Sequence, residues 1–370
     1  DIQYQPANSW LFSIGYVGNH SLHQVLPIPF NQPLVATPQN PVRGEIYSYG
    51  YNINGYEPLA TFTGGNTDVR VPYLGYGPNS VYYTAEGIAW YHALQLELRK
   101  RLSFGLQFTA TYTWSHSLDE QSGLGLFYTG NDPSNPKSGY GSSDFDQPHV
   151  ATVNFTYQIP KLTSHRALSS FIDGWSLSGQ IVAQSGQPYS VYDYSGSVAS
   201  IYYSSFDSIT NPIVPLKPGV SSGQAQLQGT TGVNAGRPVL DANAFSPQFL
   251  QPGQNGAPPC DAFAQSTGGC DNYESAFSNG GRNLFRGPFQ TRFDLSVGKT
   301  FSLSERFKLR FNFDAFNVFN HASFDSPNNN VTFFPNFGPP PSIPPVGSLG
   351  EIQHTIGSPR FLQADLHLTF

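Results

Sequence analysis

The chain ends in Phe361–Phe370, FLQADLHLTF. On an extended backbone, Leu362, Ala364, Leu366, Leu368 and Phe370 share one face, and Gln363, Asp365, His367 and Thr369 share the other. A terminal strand this regular, stopping on an aromatic, is expected to be held by neighbouring strands or recognised by another molecule, because free ends ordinarily fray.

The same alternation recurs upstream. In RFKLRFNFDAF (306–316), Phe307, Leu309, Phe311, Phe313 and Ala315 oppose Arg306, Lys308, Arg310, Asn312 and Asp314. In TRFDLSVGKTF (291–301), Phe293, Leu295, Val297 and Phe301 oppose Arg292, Asp294, Ser296, Gly298 and Thr300. HALQLELRKRL (92–102) sets Leu94, Leu96 and Leu98 against Gln95, Glu97 and Arg99, and GLQFTATYTWS (105–115) sets Leu106, Phe108, Ala110, Tyr112 and Trp114 against Gln107, Thr109, Thr111 and Thr113. HVATVNFTYQIP (149–160) gives Phe155 and its apolar neighbours against Asn154 and Thr156, and WSLSGQIVAQ (175–184) gives Leu177 and Ile181 against Gln180 and Gln184. SWLFSIGYV (9–17) and DIQYQ (1–5) extend the series to eight full strands and one partial strand.

Between these strands the connections alternate in length. Short ones fall at PANS, at KRLS, between Lys161 and Gly174, and at SLSE; long ones span about 20–87, 119–148, 194–291 and 321–360. Loops that long count against a compact soluble sheet. Apolar faces continuous over about ten residues also exceed the usual strand of five or six. A soluble β-sandwich or propeller is the competing architecture, since its half-buried strands alternate too. Trp90, Tyr91, Tyr112, Trp114, Tyr157 and Trp175 gather near strand ends, as in an interfacial aromatic girdle. Short turns at one end and long loops at the other predict an all-β, antiparallel, up-and-down transmembrane barrel wall of about 8–10 strands. The turns are then periplasmic, the loops extracellular and the C-terminus periplasmic. The apolar residues face lipid. Gln95, Glu97, Arg99, Gln107, Thr109, Asn154, Arg306, Lys308, Arg310, Asn312, Asp314 and Asp365 face the lumen. The whole chain, residues 1–370, reads as part of a single barrel domain.

Composition agrees. Charged residues are only 11% of the chain and aromatics 15%, where soluble domains carry about 25% charge. A net charge of −6 gives no support for a nucleic-acid partner. No apolar run approaches the length of a transmembrane helix. The absence of Met, with Asp1 at the start, marks a mature form or a piece of something longer. Cys260 and Cys270, the only two cysteines, lie close together in a loop rich in Gly and Pro, which points to a loop disulfide in an oxidising compartment.

Chemistry-bearing motifs are sparse. DFDQPH (144–149) brings two carboxylates and a histidine together, with Asp132 as a conceivable further cation ligand, but its spacing matches no EF-hand loop. Side chains capping turns explain it more simply, so no metal site is assigned. GRNLFRGP (281–288) and NVFNH (317–321) read as loop-anchoring turns whose Asn and Gly accept positive φ. Ser115 and His116 point to opposite faces of a strand, so with Asp119 they make no catalytic triad. Neither a nucleophile elbow nor a P-loop is present. The sequence argues against an enzyme and calls for no cofactor.

Together, WLFSIGYVGNHSLH, YHALQLELRKRLSFGLQFTATYTWSHSLDE, DFDQPHVATVNFTYQIP, DGWSLSGQIVAQSGQPYSV, GRNLFRGPFQTRFDLSVGKTF, ERFKLRFNFDAFNVFNHASF and GSPRFLQADLHLTF resemble the C-terminal barrel portion of Oar-like TonB-dependent outer-membrane receptors of the acidobacterial type. The resemblance implies a Gram-negative outer-membrane protein, with membrane lipid around it. It implies a barrel of about 22 strands in the intact receptor and a TonB complex engaged through an N-terminal part with plug and TonB box. It further implies that the barrel-assembly machinery reads Leu366, Leu368 and Phe370. On this resemblance, a ligand, whether sugar, peptide or metal chelate, is expected to be bound by the loops and imported through the lumen. The competing function is a surface adhesin or secretion-related barrel that binds a partner without transport.

Overall fold

The described residues of the computed structural model are 1–31, 45–52, 55–62, 71–76, 80–123, 125, 131–132, 135–192, 213–227, 239–245, 281–329, 349–352 and 354–370. They form, in chain order, β1 (Ile2–Ala7), β2 (Trp10–Pro29), β3 (Glu45–Asn52), β4 (Gly55–Phe62), β5 (Val81–Ser103), β6 (Leu106–Asp119), β7 (Gly141–Ser142), β8 (His149–Gln158), α1 (Arg166–Ile172), β9 (Trp175–Gln184), β10 (Pro188–Tyr189), β11 (Phe285–Arg286), β12 (Gln290–Ser302), β13 (Lys308–Phe316), β14 (Ser323–Phe324), β15 (Thr355–Ile356) and β16 (Phe361–Thr369). Nine of these make one antiparallel up-and-down sheet in the order β1-β2-β5-β6-β8-β9-β12-β13-β16, and β7 pairs beside β6. The fold is all-β. Its edges are β1, paired to β2, and β16, paired to β13.

Register is set by the two-residue period, since a slip of one residue would turn every side chain to the wrong face. One row of directly opposed residues runs Trp10, Lys100, Phe108, Phe155, Gly179, Leu295, Ala315, Leu362 across the sheet. A parallel row runs Phe12, Leu98, Ala110, Val153, Ile181, Phe293. The intervening rows are polar: Arg99, Thr109, Asn154, Gln180, Asp294, and Gln107, Thr156, Ser178, Ser296, Asp314, Gln363. The apolar face is open, with Trp114, Phe313 and Leu366 all exposed. Gly179 is required in it, because a Cβ there would lie 2.6 Å from the Phe155 ring.

The two ends of the sheet differ. At the short-turn end β5 and β6 join through Phe104 and Gly105, both at positive φ (51° and 77°), the pair of conformations that a two-residue hairpin of matching twist requires. A Cβ on Gly105 would meet the Gln158 carbonyl oxygen at 2.4 Å. Between β12 and β13 the amides of Leu303 and Ser304 both donate to the Phe307 carbonyl. Arg306 and Phe307 therefore lie in the turn rather than on the strand faces expected for them, and β13 begins at Lys308.

Two lysines of this end interrupt the apolar face. Lys100 donates from Nζ to Ser103 O (2.8 Å), Ser103 Oγ (2.6 Å) and Leu106 O (2.9 Å), and stands over the Trp10 ring. Lys299, 4% exposed, donates to Asp173 O at 2.6 Å and lies 5.2 Å from the centre of the Trp175 ring and 4.8 Å from that of Phe301. Each long apolar stem covers the face while its ammonium bends to carbonyls and aromatic rings at the rim.

At the other end the strands outrun the sheet. β2 continues to Pro29 and β5 starts at Val81, so strand occupies both flanks of the stretch expected as loop 20–87, and the β3–β4 hairpin sits between them. Beyond β9 and β12 the loops have a hydrophobic core of their own, in which Val191, Leu240, Phe245 and Phe285 are buried together with Tyr189, Val214, Ala225, Ala244 and Leu349. Cys260 and Cys270 lie outside the described residues.

Candidate functional site

The long loops are tied to the sheet by two arginines of GRNLFRGP. Asp119, the last residue of β6, is 3% exposed. Arg282 reaches it with Nη1, 2.6 Å from Oδ1 and 2.9 Å from the backbone carbonyl, and donates through Nη2 to Ser122 Oγ (2.6 Å) and Asp144 Oδ1 (3.0 Å). Asn283 adds bonds to Ser142 O (2.7 Å) and Asp144 Oδ1 (2.8 Å), and its positive φ of 56° turns the chain there. Gly141 in β7 lets the Arg282 backbone come close, since a Cβ there would meet the Arg282 carbonyl oxygen at 2.6 Å. Burial pulls the Arg282 pKa down, but hydrogen bonding to Asp119 and the charges of Asp144 and Asp119 outweigh it, leaving the pKa above its ordinary value.

The second arginine closes an adjoining set. Asp146 accepts from Ser117 N (2.8 Å), from His116 Nδ1 (2.9 Å) and from Arg286 Nη2, while Arg286 Nη1 donates to the Asp146 carbonyl at 2.7 Å. Beside it, burial raises the Glu120 carboxyl pKa, a shift only partly offset by the bond it accepts from Ile88 N (3.1 Å). Arg282 and Asn283 thus share Asp144 Oδ1, and Asp146 is engaged at both carboxylate oxygens, by Ser117 N at Oδ1 and by His116 and Arg286 at Oδ2. Among the described residues no group of three or more His, Cys, Asp and Glu side chains converges as a metal site.

Two cavities open where these loops cross the polar face. One, about 310 Å³, has Gln95, Thr113 and Val150 of the sheet as its floor and Phe145 and Asp146 as its roof. The larger, about 520 Å³, has Gln180, Gln184, Gln290 and Arg292 below and His321, Ile356 and Ser358 above. Asn317 pins that roof: its side-chain nitrogen donates to His321 O (2.9 Å) and Ser358 O (3.2 Å), and its backbone amide donates to Asp294 Oδ1 (2.8 Å). In both places the loops fold onto the polar face.

The family model for the outer membrane beta barrel domain matches residues 1–363. The chain belongs to this family. An outer-membrane barrel accounts for the open apolar face, because strand backbones in a bilayer pair with one another while alternate side chains meet lipid. Among solved structures, the crystal structure of the outer membrane transporter YddB from Escherichia coli is similar at 10% identity and a TM-score of 0.38, covering 99% of this chain and 31% of that one. This barrel chain therefore spans about a third of the length of that transporter. None of the curated proteins matches it.

Of the residues expected to face the lumen of the barrel, Gln107 and Asp314 fall in one polar row, and Arg99, Thr109 and Asn154 in the next. Arg310 and Asn312 lie opposite His367 and Asp365, with Asn312 donating to Asp365 at 3.2 Å. Gln95 and Glu97 share that face through Thr113 and Thr111, and Lys308 through Thr369. Leu94, Leu96, Leu98, Phe108, Phe155, Leu177, Leu309, Phe311, Phe313, Leu366 and Leu368 share the apolar face. Arg306 and Phe307 are the exceptions, both in a turn. Phe370 follows the last strand and is 90% exposed. The sequence reading did not place Arg282, Arg286 and Asp119 in a common cluster. The signal available was complementarity, two arginines in one anchoring motif and paired aspartates in another.

Proposed function

We propose that this chain is part of the barrel wall of an Oar-like TonB-dependent receptor. Its polar face lines the lumen, its long loops are extracellular, and its short turns and Phe370 are periplasmic. In the full-length protein the loops bind ligand, which passes through the lumen when a plug is energised through TonB. One observation carries this reading. Among the described residues, the loops fold onto the polar face over both cavities, while Trp114, Phe313 and Leu366 of the apolar face stay exposed, as suits a lumen gated from above and a wall wetted by lipid. The charges on the polar face, among them Glu97, Arg99, Arg310, Asp314 and Asp365, suit a hydrated channel or a surface against a plug, since packing them dry is costly. Uptake of radiolabelled ligand by cells making the full-length protein tests it. Accumulation should cease when TonB is deleted or the proton gradient is collapsed, with surface binding retained. Surface binding with no accumulation in energised cells would instead identify an adhesin.

A further inference from the structure

The larger cavity over the polar face differs from the arginine-clasped region in its chemistry. Three uncharged amides lie on its floor beside Val182, Arg292 and Asp294: Gln180 from β9, and Gln184 joined to Gln290 on β12 by a 2.8 Å bond between Nε2 and Oε1. A side-chain amide has two donor hydrogens and two acceptor lone pairs, so a pair joined by one bond keeps both kinds of group for a ligand. The only opposite charges on the floor cancel, because Arg292 Nε donates to both oxygens of Asp294, at 3.0 and 2.7 Å. Phe316, stacked on Phe361 with ring centres 6.1 Å apart, adds an aromatic wall. The volume, about 520 Å³, lies within the range of small-molecule sites, about 300–1,000 Å³.

We infer that this cavity is a subsite for a neutral sugar unit, an inference that rests on the receptor reading above and specifies the ligand class. Vicinal hydroxyls donate and accept at once, as side-chain amides do, and the apolar face of a pyranose packs on an aromatic ring. The floor carries no net charge, so an anionic or cationic ligand meets no excess of opposite charge there. A peptide cannot be taken up here by adding a strand to a free sheet edge, since β9, β12 and β13 are each paired on both sides. Recognition is left to side chains, which suits a saccharide.

The test titrates the protein in detergent with maltohexaose, cellohexaose, xylohexaose and chitohexaose, beside hexagalacturonate and a neutral hexapeptide, by calorimetry. At least one neutral oligosaccharide should bind. Gln180→Ala and Gln290→Ala should each weaken it about tenfold, the worth of a hydrogen bond of roughly 1.4 kcal/mol. Ser358→Trp, which brings bulk into the cavity from an exposed roof residue and leaves the sheet untouched, should abolish binding. Thr111→Arg, elsewhere on the polar face, should not change it. Failure of all four neutral oligosaccharides to bind, insensitivity to these substitutions, or tighter binding of the hexapeptide or hexagalacturonate would overturn the assignment. Sugar binding without TonB-dependent uptake would count against the receptor reading alone, and TonB-dependent uptake of some other ligand against this subsite alone.

Discussion

Arg282 is the side chain on which the loop contacts converge, and its partner Asp119 has a side chain only 5% exposed. Removing one member of a buried ion pair leaves the other charged and unsolvated, a loss of about 3–5 kcal/mol. In Arg282→Leu that loss should fall on loop attachment and not on strand pairing. Limited proteolysis should therefore cut between residues 120 and 145 and between 281 and 288 much faster than in the wild type, with strand content by circular dichroism unchanged. Arg282→Lys keeps the charge but not the forked donors that serve Asp119, Ser122 and Asp144 together, so it should fall in between. Wild-type cleavage rates in Arg282→Leu would mean that the clasp does not hold the loops.

The connection between β8 and β9 is an element organised by one carboxylate. Asp173 accepts from Ser169 Oγ (2.7 Å), Leu162 N (2.6 Å) and Thr163 N (3.3 Å). The Ser169 bond is the largest of the effects that lower its pKa, followed by the Leu162 amide. A carboxylate with a depressed folded pKa contributes stability that is present above its unfolded pKa, about 3.9. That stability is lost as pH falls through the lower folded value. Amide protection across residues 161–174, taken relative to the intrinsic exchange rate at each pH, should therefore fall in that acidic window, and Asp173→Ala should show the reduced protection already at neutral pH, with no further loss on acidification. The strands make a second element-scale prediction. Leu96→Arg and Phe155→Arg put a charge on the apolar face and should cost about 2–4 kcal/mol if near the bilayer midplane. Thr111→Arg, opposite Glu97 and Thr152, and Asn154→Arg should be tolerated. Equal losses from both sets in a folding titration into vesicles would refute the assignment of faces.

At the scale of the whole molecule, the sheet has two edges, β1 and β16. The sheet runs from β1 to β16 without those strands pairing. A closed barrel of about eight strands is filled by its own side chains, which the charges of the polar face oppose. Exposed edges recruit other strands, so in the membrane β1 and β16 should each meet strands other than one another. In a protein with Cys260→Ser and Cys270→Ser, Tyr4→Cys combined with Leu366→Cys should form no disulfide under mild oxidation. An efficient cross-link would mean that the sheet closes on itself, and the wide-lumen reading would fall.

The strands and their faces were legible in the sequence because alternation is local: Leu309, Phe311 and Phe313 declare a face within five residues, whatever they pair with. Turn chemistry was legible for the same reason. The Asn and Gly residues of GRNLFRGP and NVFNH were read as tolerating positive φ, and Asn283, Asn317 and Asn320 adopt it at 56°, 50° and 51°, while Gly281 and Gly287 do not. Membership of the outer membrane beta barrel family agrees with that local pattern. Tertiary structure alone decided the rest. Arg282 meets Asp119 across 163 positions and Asp144 across 138, and nothing local distinguishes those partners from the chain's other carboxylates. Alternation alone puts Lys299 on the apolar face, but that its charge can be accommodated there depends on the convergence of Trp175, Phe301 and the Asp173 carbonyl beside it. The amide-floored cavity likewise exists only where the loop containing Asn317 and Ser358 crosses β9 and β12. A period of two fixes which way a side chain points, but which partner waits there depends on loop closure between residues far apart in the chain.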